Sequence, residues 1–190
     1  KDIVSAVKDG AGDLPISVKT RVGWLNYDLD WIRFLLEQDL DVLTIHGRTA
    51  TGVYSKKPNW GRIRASVEIR DELGKKTLIF GNGGVITLKQ AKRYLKKCNV
   101  DGIMIGKEAI HNPWIFSGRQ VVPVSESFET FKKHIVLFKD TWGDSKDFNT
   151  LKKFVGSYVN GFVGSQDIRN EMMKTTTIEE LLEQVEKLIK

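Results

Sequence analysis

The sequence predicts an α/β protein: half of an eight-stranded (β/α)8 TIM barrel, made of four parallel βα units, followed by a small all-α helical bundle. Three observations predict it. Short apolar runs alternate four times with stretches of helical spacing between residues 15 and 116, and that order gives parallel strands joined by right-handed crossovers. Two consecutive runs end at once in glycine turns, Gly81-Asn82-Gly83-Gly84 and Gly106-Lys107, one βα unit apart. Beyond Ser117 the strand runs stop, and apolar side chains recur only at helical spacing. Four βα units also fit an open doubly wound sheet, and the strand pattern alone leaves both arrangements open.

Taken in order, Lys1–Lys8 reads as the end of a helix broken by Gly10-Ala11-Gly12-Asp13. Pro15–Val22 is the first strand, stopped by Gly23. Asp28 caps a helix to Gln38 that sets Leu29, Ile32, Leu35 and Leu36 on one face. Val42-Leu43-Thr44-Ile45 is the second strand and ends in His46-Gly47-Arg48-Thr49. A polar loop from Ala50 to Asn59 leads into a helix from Trp60 to Leu73. Thr77–Phe80 is the third strand, Thr87–Lys97 a helix, and Gly102–Ile105 the fourth strand. A short helix closes near Asn112-Pro113-Trp114-Ile115-Phe116. Pro123-Val124-Ser125 reads as a linker. Phe128, Phe131, Ile135, Phe138 and Trp142 then mark one helix. Phe148, Leu151, Val155, Tyr158, Val159 and Phe162 mark a second, closed by Gly161 and Gly164, and these aromatics are expected in the core. Thr177-Ile178-Glu179-Glu180 is a capping box that opens a last helix. The domains expected are 1–122 and 123–190.

Composition bounds the chemistry. The chain has 190 residues, 41% hydrophobic and 28% charged, enough for one or two domains with a real core. No apolar run approaches the ~20 residues of a membrane span, and the first residues do not read as a signal peptide. Cys98 is the only cysteine, so an intrachain disulfide is excluded and a reducing, cytoplasmic setting is expected. No cluster suggests a metal site. The start on Lys1 suggests a longer protein that has been cut. Net charge is +6, and its distribution is uneven. Residues 1–116 carry 19 Lys+Arg against 13 Asp+Glu, whereas residues 117–190 carry 11 of each. A localised excess points to an anionic partner.

Polar groups gather at the C-terminal ends of the strand runs: Lys19 and Arg21, His46 and Arg48, Asn82, and Lys107. Barrel enzymes build their sites on that face, and their phosphate sites after the last two strands. Glycine turns there offer bare backbone N–H groups to an anion. One such turn is equally a tight turn and nothing more, His46 alone fits a satisfied strand-end histidine, and Lys107 alone fits a snorkelling side chain. Two turns one βα unit apart favour a phosphate site.

Five stretches together resemble the tRNA-dihydrouridine synthases. They are Val18-Lys19-Thr20-Arg21-Val22-Gly23-Trp24, His46-Gly47-Arg48-Thr49, Gly81-Asn82-Gly83-Gly84, Asp101–Lys107 and Asn112-Pro113-Trp114-Ile115-Phe116. Their order and the helical tail match that family across nearly the whole chain. The resemblance implies an FMN enzyme that reduces uridine in tRNA to 5,6-dihydrouridine with NADPH as hydride donor. It assigns Lys19 to the isoalloxazine ring and His46 to a hydrogen bond with the flavin. Asn82, Gly83, Gly84, Gly106 and Lys107 are assigned to the FMN phosphate. Arg21 and Arg48 are assigned to the substrate uridine or its strand, and residues 123–190 to tRNA binding.

This chain departs from the family pattern in three ways. Asn82-Gly83-Gly84 stands where the family has Asn-Gly-Asp, and Gly106-Lys107 where it has Gly-Arg, so a point charge replaces a bidentate fork. The family's first four strands and the cysteine that protonates uracil C5 have no counterpart in this sequence. Cys98 does not replace it, because it closes a helix remote from the strand ends. The chain is thus expected to be the C-terminal portion of a synthase, inactive alone, with no catalytic residue of its own. Its barrel edges are expected to promote dimerisation. Two alternatives are an FMN barrel of the dihydroorotate-dehydrogenase type and a non-catalytic RNA- or phosphate-binding remnant.

Overall fold

The computed structural model describes residues 2–52 and 57–189. Residues 53–56, in the polar loop expected before Asn59, lie outside them. The chain divides into two compact units, Lys1–Gly106 and Lys107–Lys190.

The first unit runs α1 (Asp2–Ala11), β1 (Ser17–Arg21), α2 (Leu29–Leu36), β2 (Val42–His46), α3 (Trp60–Glu72), β3 (Leu78–Asn82), α4 (Leu88–Cys98) and β4 (Gly102–Met104). All three strand pairings are parallel, in the order β1-β2-β3-β4. A doubly wound sheet reverses its strand order at a switch point. This one never does, so the four βα units form half of a β/α barrel, followed in the second unit by helices alone.

Side-chain alternation divides the sheet's two faces. Leu43, Ile45 and Ile79 are fully buried and join Ile32, Leu35, Leu36, Ile63 and Val67 of the helices in one core, with Val18 and Ile103 packed against it. Three helix starts carry side-chain caps, of which the sequence reading named only Asp28. Asp28 accepts from Trp31 N–H, Asn59 from Arg62 N–H and Thr87 from Gln90 N–H. Aspartates at the bottoms of two strands work alike. Asp41 Oδ2 accepts from Ile16 N–H at 2.7 Å, and Asp101 Oδ2 accepts from Ile79 N–H at 2.8 Å and from Arg70 Nη1 at 2.6 Å. Each ties its strand to the neighbour through a charge-assisted bond. Cys98 is 2% exposed on the helix layer, and burial pushes its thiol pKa up.

In the second unit a short helix α5 (Lys107–His111) and a 3-10 turn precede α6 (Val124–Trp142), α7 (Asn149–Lys152), α8 (Val155–Tyr158), α9 (Ser165–Lys174) and α10 (Ile178–Ile189). Phe128, Phe131, Ile135, Phe138, Leu151, Val155, Tyr158, Met172, Leu181 and Val185 form its core. Of the aromatics expected inside, Phe128, Phe131, Phe138 and Tyr158 are buried, Phe148 and Phe162 are half-buried against the core, and Trp142 is 46% exposed beneath the Lys146 ammonium.

Four sequence expectations are corrected here. Pro123 is no linker residue but the cap position of α6, its carbonyl accepting from Ser127 N–H. The expected single helix over 148–162 is two short ones. The chain tightens between them through bonds from Phe154 N–H to Leu151 O and Ser157 N–H to Phe154 O, which preserve the apolar stripe across the break. Helix α9 is additional, and Gly164, at φ +83, opens it rather than closing its predecessor. In the last capping box Thr177 Oγ1 accepts from Glu180 N–H, but the Glu180 carboxylate reaches Thr176 N–H instead of Thr177.

Candidate active site

Register decides what the strand ends present. Arg21 pairs with His46, His46 with Asn82, and Asn82 with Met104, so these four stand in one row across the sheet. Two residues earlier, Lys19, Thr44, Phe80 and Gly102 form the row beneath. Both rows lie on the face turned away from the helices, since the intervening Ile45 and Ile103 belong to or pack against the helix-side core and Thr20 Oγ1 accepts from Trp31 Nε1 of α2. Lys19, Arg21, His46 and Asn82 therefore converge on one surface at the C-terminal end of the half-barrel. Gly102 is glycine because a Cβ there would sit 2.8 Å from the Phe80 ring.

The electrostatics of that surface are one-sided. Arg21 donates Nη1–H to Thr49 O at 2.7 Å, which fixes its guanidinium over the end of β2. Arg48 Nη1 lies 3.5 Å from His46 Nε2. Partial burial first, then the charges of Arg21, Lys19 and Arg48, depress the His46 pKa to about 4. The imidazole is neutral at physiological pH. Facing a donor, Nε2 is its acceptor and Nδ1 carries the proton. Asn82 donates one Nδ2–H to Met104 O at 2.7 Å and so braces the turn after β3 against β4.

This depressed pKa has a consequence for stability. The unfolded chain binds the His46 proton near the ordinary value of 6.5, whereas the folded chain binds it only near 4. Folding stability is therefore unaffected by this group above pH 6.5 and falls as pH drops from 6.5 toward 4. Melting temperatures measured across that window should decline less steeply in His46→Gln than in wild type. Identical slopes would mean that His46 titrates normally.

The two glycine turns differ in character. Gly83 has φ +125, and a Cβ there would meet His46 Cδ2 at 2.8 Å and Pro58 Cβ at 2.9 Å. Gly84, at φ +63, lies against Pro58 Cγ. A Cβ at Gly81 would strike the Trp60 ring at 2.5 Å, and Trp60 Nε1–H donates to Gly83 O at 3.2 Å while its ring stacks on Tyr94. The first turn is thus built tightly by the protein itself. Gly106, after β4, has open space on all sides of its would-be Cβ. No hydrogen bond is made by the backbone N–H of Gly84 or Gly106 among the described residues. Lys107 is the first residue of the second unit.

The sequence reading missed the supports: Thr49, Pro58, Trp60 and Asn59, whose N–H donates to Gly47 O at 2.6 Å. It also passed over the loop after β1, whose signal was an unpaired Trp24 directly after the Gly23 stop. Among the described residues no group of three or more His, Cys, Asp or Glu could hold a metal, and no helix is long and apolar enough to cross a membrane.

Comparison with known proteins identifies the chain's family. The family model described as dihydrouridine synthase matches residues 1–190. A probable tRNA-dihydrouridine synthase of Staphylococcus aureus (strain COL) is 34% identical over 183 residues, covering 94% of this chain and 55% of the relative. One from Staphylococcus epidermidis (strain ATCC 12228) is 34% identical over 186 residues, covering 96% of this chain and 56% of the relative. The probable tRNA-dihydrouridine synthase 2 of Bacillus subtilis (strain 168) is 31% identical over 184 residues, covering 95% and 56%. The chain spans about half the length of the curated relatives it matches. With its whole length matched by one family model and its strand-end residues gathered on one face, the chain belongs to the dihydrouridine synthase family.

Proposed function

We propose that this chain supplies the phosphate-binding half of the barrel of an FMN-dependent tRNA-dihydrouridine synthase that uses NADPH as reductant. The observation that carries the reading is the strand register. It sets Lys19, Arg21 and His46 on one face, beside glycine turns whose N–H groups at Gly84 and Gly106 are uncommitted.

The residues fit a flavin mononucleotide. Backbone N–H groups of Gly83, Gly84 and Gly106 suit a phosphate, and the open space at Gly106 admits it close to the main chain. The resemblance gives Lys107 the same task, as a point charge rather than a fork. Asn82 holds the turn through one Nδ2–H bonded to Met104 O, and its second Nδ2–H is left for the phosphate that the resemblance assigns to it. A bound flavin supplies hydride chemistry between the nicotinamide and the uracil. This chain's own groups then bind and orient. Lys19 places a cation where a ring gains negative charge on reduction. Neutral His46 offers a donor without adding a further charge. Arg21 and Arg48 stand at the rim for the uridine and its phosphates. Residues 123–190 are assigned to the tRNA, with the main charge contribution coming from the first unit.

The chain alone is expected to be inactive and to hold flavin weakly. The phosphate assignment is tested on the protein as its gene encodes it, by equilibrium dialysis against FMN and against riboflavin. FMN should bind about a hundredfold tighter, the difference a few charge-assisted hydrogen bonds make. Equal affinities would remove the phosphate from the glycine turns.

A further inference from the structure

The geometry points to Trp24 as a stacking platform for a nucleobase of the RNA strand, next to the uridine that enters the strand-end site. The proposal rests on the functional reading above and adds a binding surface to it. Trp24 is 72% exposed, the most exposed aromatic among the described residues, and takes no part in either core. Exposure alone is ordinary for a surface side chain; the way the loop holds this one is not.

Its backbone, in contrast, is held firmly. Gly23 turns the chain at φ +143, where a Cβ would lie 1.9 Å from Asn26 O. Asp28 N–H closes the loop onto Val22 O at 2.8 Å, and Ala50 N–H bonds Gly23 O at 2.8 Å. Trp24 O accepts from both Thr51 N–H at 3.2 Å and Thr51 Oγ1 at 3.1 Å. The loop therefore presents an exposed ring from a fixed base, so little order is lost when a flat ligand settles on it.

Trp24 also forms the wall between two clefts. One, of about 510 Å³, is lined by Lys19, Arg21 and Trp31. The other, of about 550 Å³, is lined by Tyr27 and Arg62, whose guanidinium lies 5.1 Å from the Tyr27 ring centroid. Asp28 borders both, and Asp30 the second. The first cleft thus sets two cations against one carboxylate, and the second one cation against two carboxylates. A polyanion approaches from the first, over Lys19 and Arg21, which is the side of the site.

Nucleic acid is the occupant this chemistry suits. A uridine must leave its stack to be reduced, and the base beside it then loses a neighbour. An exposed indole with cations on one flank replaces that neighbour and receives the phosphates. Leu25 and Tyr27 beside the ring are exposed as well, which makes a protein partner or second copy the competing occupant, and the cations Lys19 and Arg21 on the flank shared with the site decide for nucleic acid.

The test uses the protein as encoded, an unmodified tRNA transcript, and steady-state rates of dihydrouridine formation. Trp24→Leu should raise KM for the transcript about tenfold, within the range a lost base–aromatic stack costs. Trp24→Phe, which keeps a stacking face, should recover most of that loss. If leucine and phenylalanine variants both match wild type, or both lose function equally, the platform is refuted. A change of oligomeric state in Trp24→Leu by light scattering, with KM unchanged, would give the ring to a second copy and refute it too. Wild-type protein that leaves the transcript unreduced would overturn the reading of the site itself, and the platform with it.

Discussion

Gly83→Val will destabilise the first unit by about 3 kcal/mol or more, whatever ligand the turn holds. Two effects add. A non-glycine residue at φ +125 costs on the order of 1–3 kcal/mol in backbone strain. The side chain also collides with His46 and Pro58, and overpacking of that kind costs about 1–3 kcal/mol more. Loss of flavin in this variant is therefore uninformative about phosphate binding. Gly106→Ala is the informative partner. Nothing lies within 4 Å of the added methyl group, and the backbone is outside the left-handed region, so stability should change by less than about 0.5 kcal/mol. FMN retention should nevertheless fall, because the methyl group occupies the space through which a phosphate reaches the main chain. Urea unfolding of both variants, with flavin absorbance read in parallel, checks the pair of expectations. A stable Gly83→Val, or a Gly106→Ala with unchanged FMN affinity, contradicts them.

Arg21→Lys will lower kcat/KM for tRNA by about a hundredfold, a loss of roughly 3 kcal/mol, in the range for truncating one partner of a buried charge contact. The substitution keeps the charge and loses the fork. One guanidinium nitrogen is spent on Thr49 O at 2.7 Å, which leaves the remaining donors aimed from a fixed plane. A lysine ammonium satisfies either the carbonyl or the substrate, but not both in the same geometry. Flavin content should stay at the wild-type level. Steady-state kinetics on a tRNA transcript, with the flavin spectrum as control, decide it. A rate within about twofold of wild type would leave Arg21 a structural tie between β1 and the loop after β2.

Much of this architecture was legible in the chain, for physical reasons. The strands holding Val18, Ile45, Ile79 and Ile103 read clearly because each is a short run of β-branched and apolar residues closed by a glycine or polar stop. Asp28 was readable as a cap because its side chain does that work locally. The strand-end residues were visible as a set, but their shared row was not, since register depends on pairing between distant segments. The role of Asn82 was hidden for the same reason: its partner, Met104 O, lies one βα unit away. Helix α9 escaped because it buries little: Met172 is fully covered and Ile168 only partly, too few for a periodic signal. The break at Phe154 escaped because a tightened turn keeps the stripe in phase. The glycines gave no hint of their difference either. Only the neighbours reveal that Gly83 is enclosed and Gly106 is open.

The central claim is that the strand-end face of this half-barrel serves the reduction of a tRNA uridine with flavin held in the glycine turns. The most direct measurement is mass spectrometry of an unmodified tRNA transcript treated with the protein as encoded, FMN and NADPH. The account predicts a gain of two hydrogens at a uridine, lost when Gly106→Ala is assayed without added FMN and recovered at high FMN. A transcript that is bound yet gains no hydrogen, with flavin retained, would contradict it.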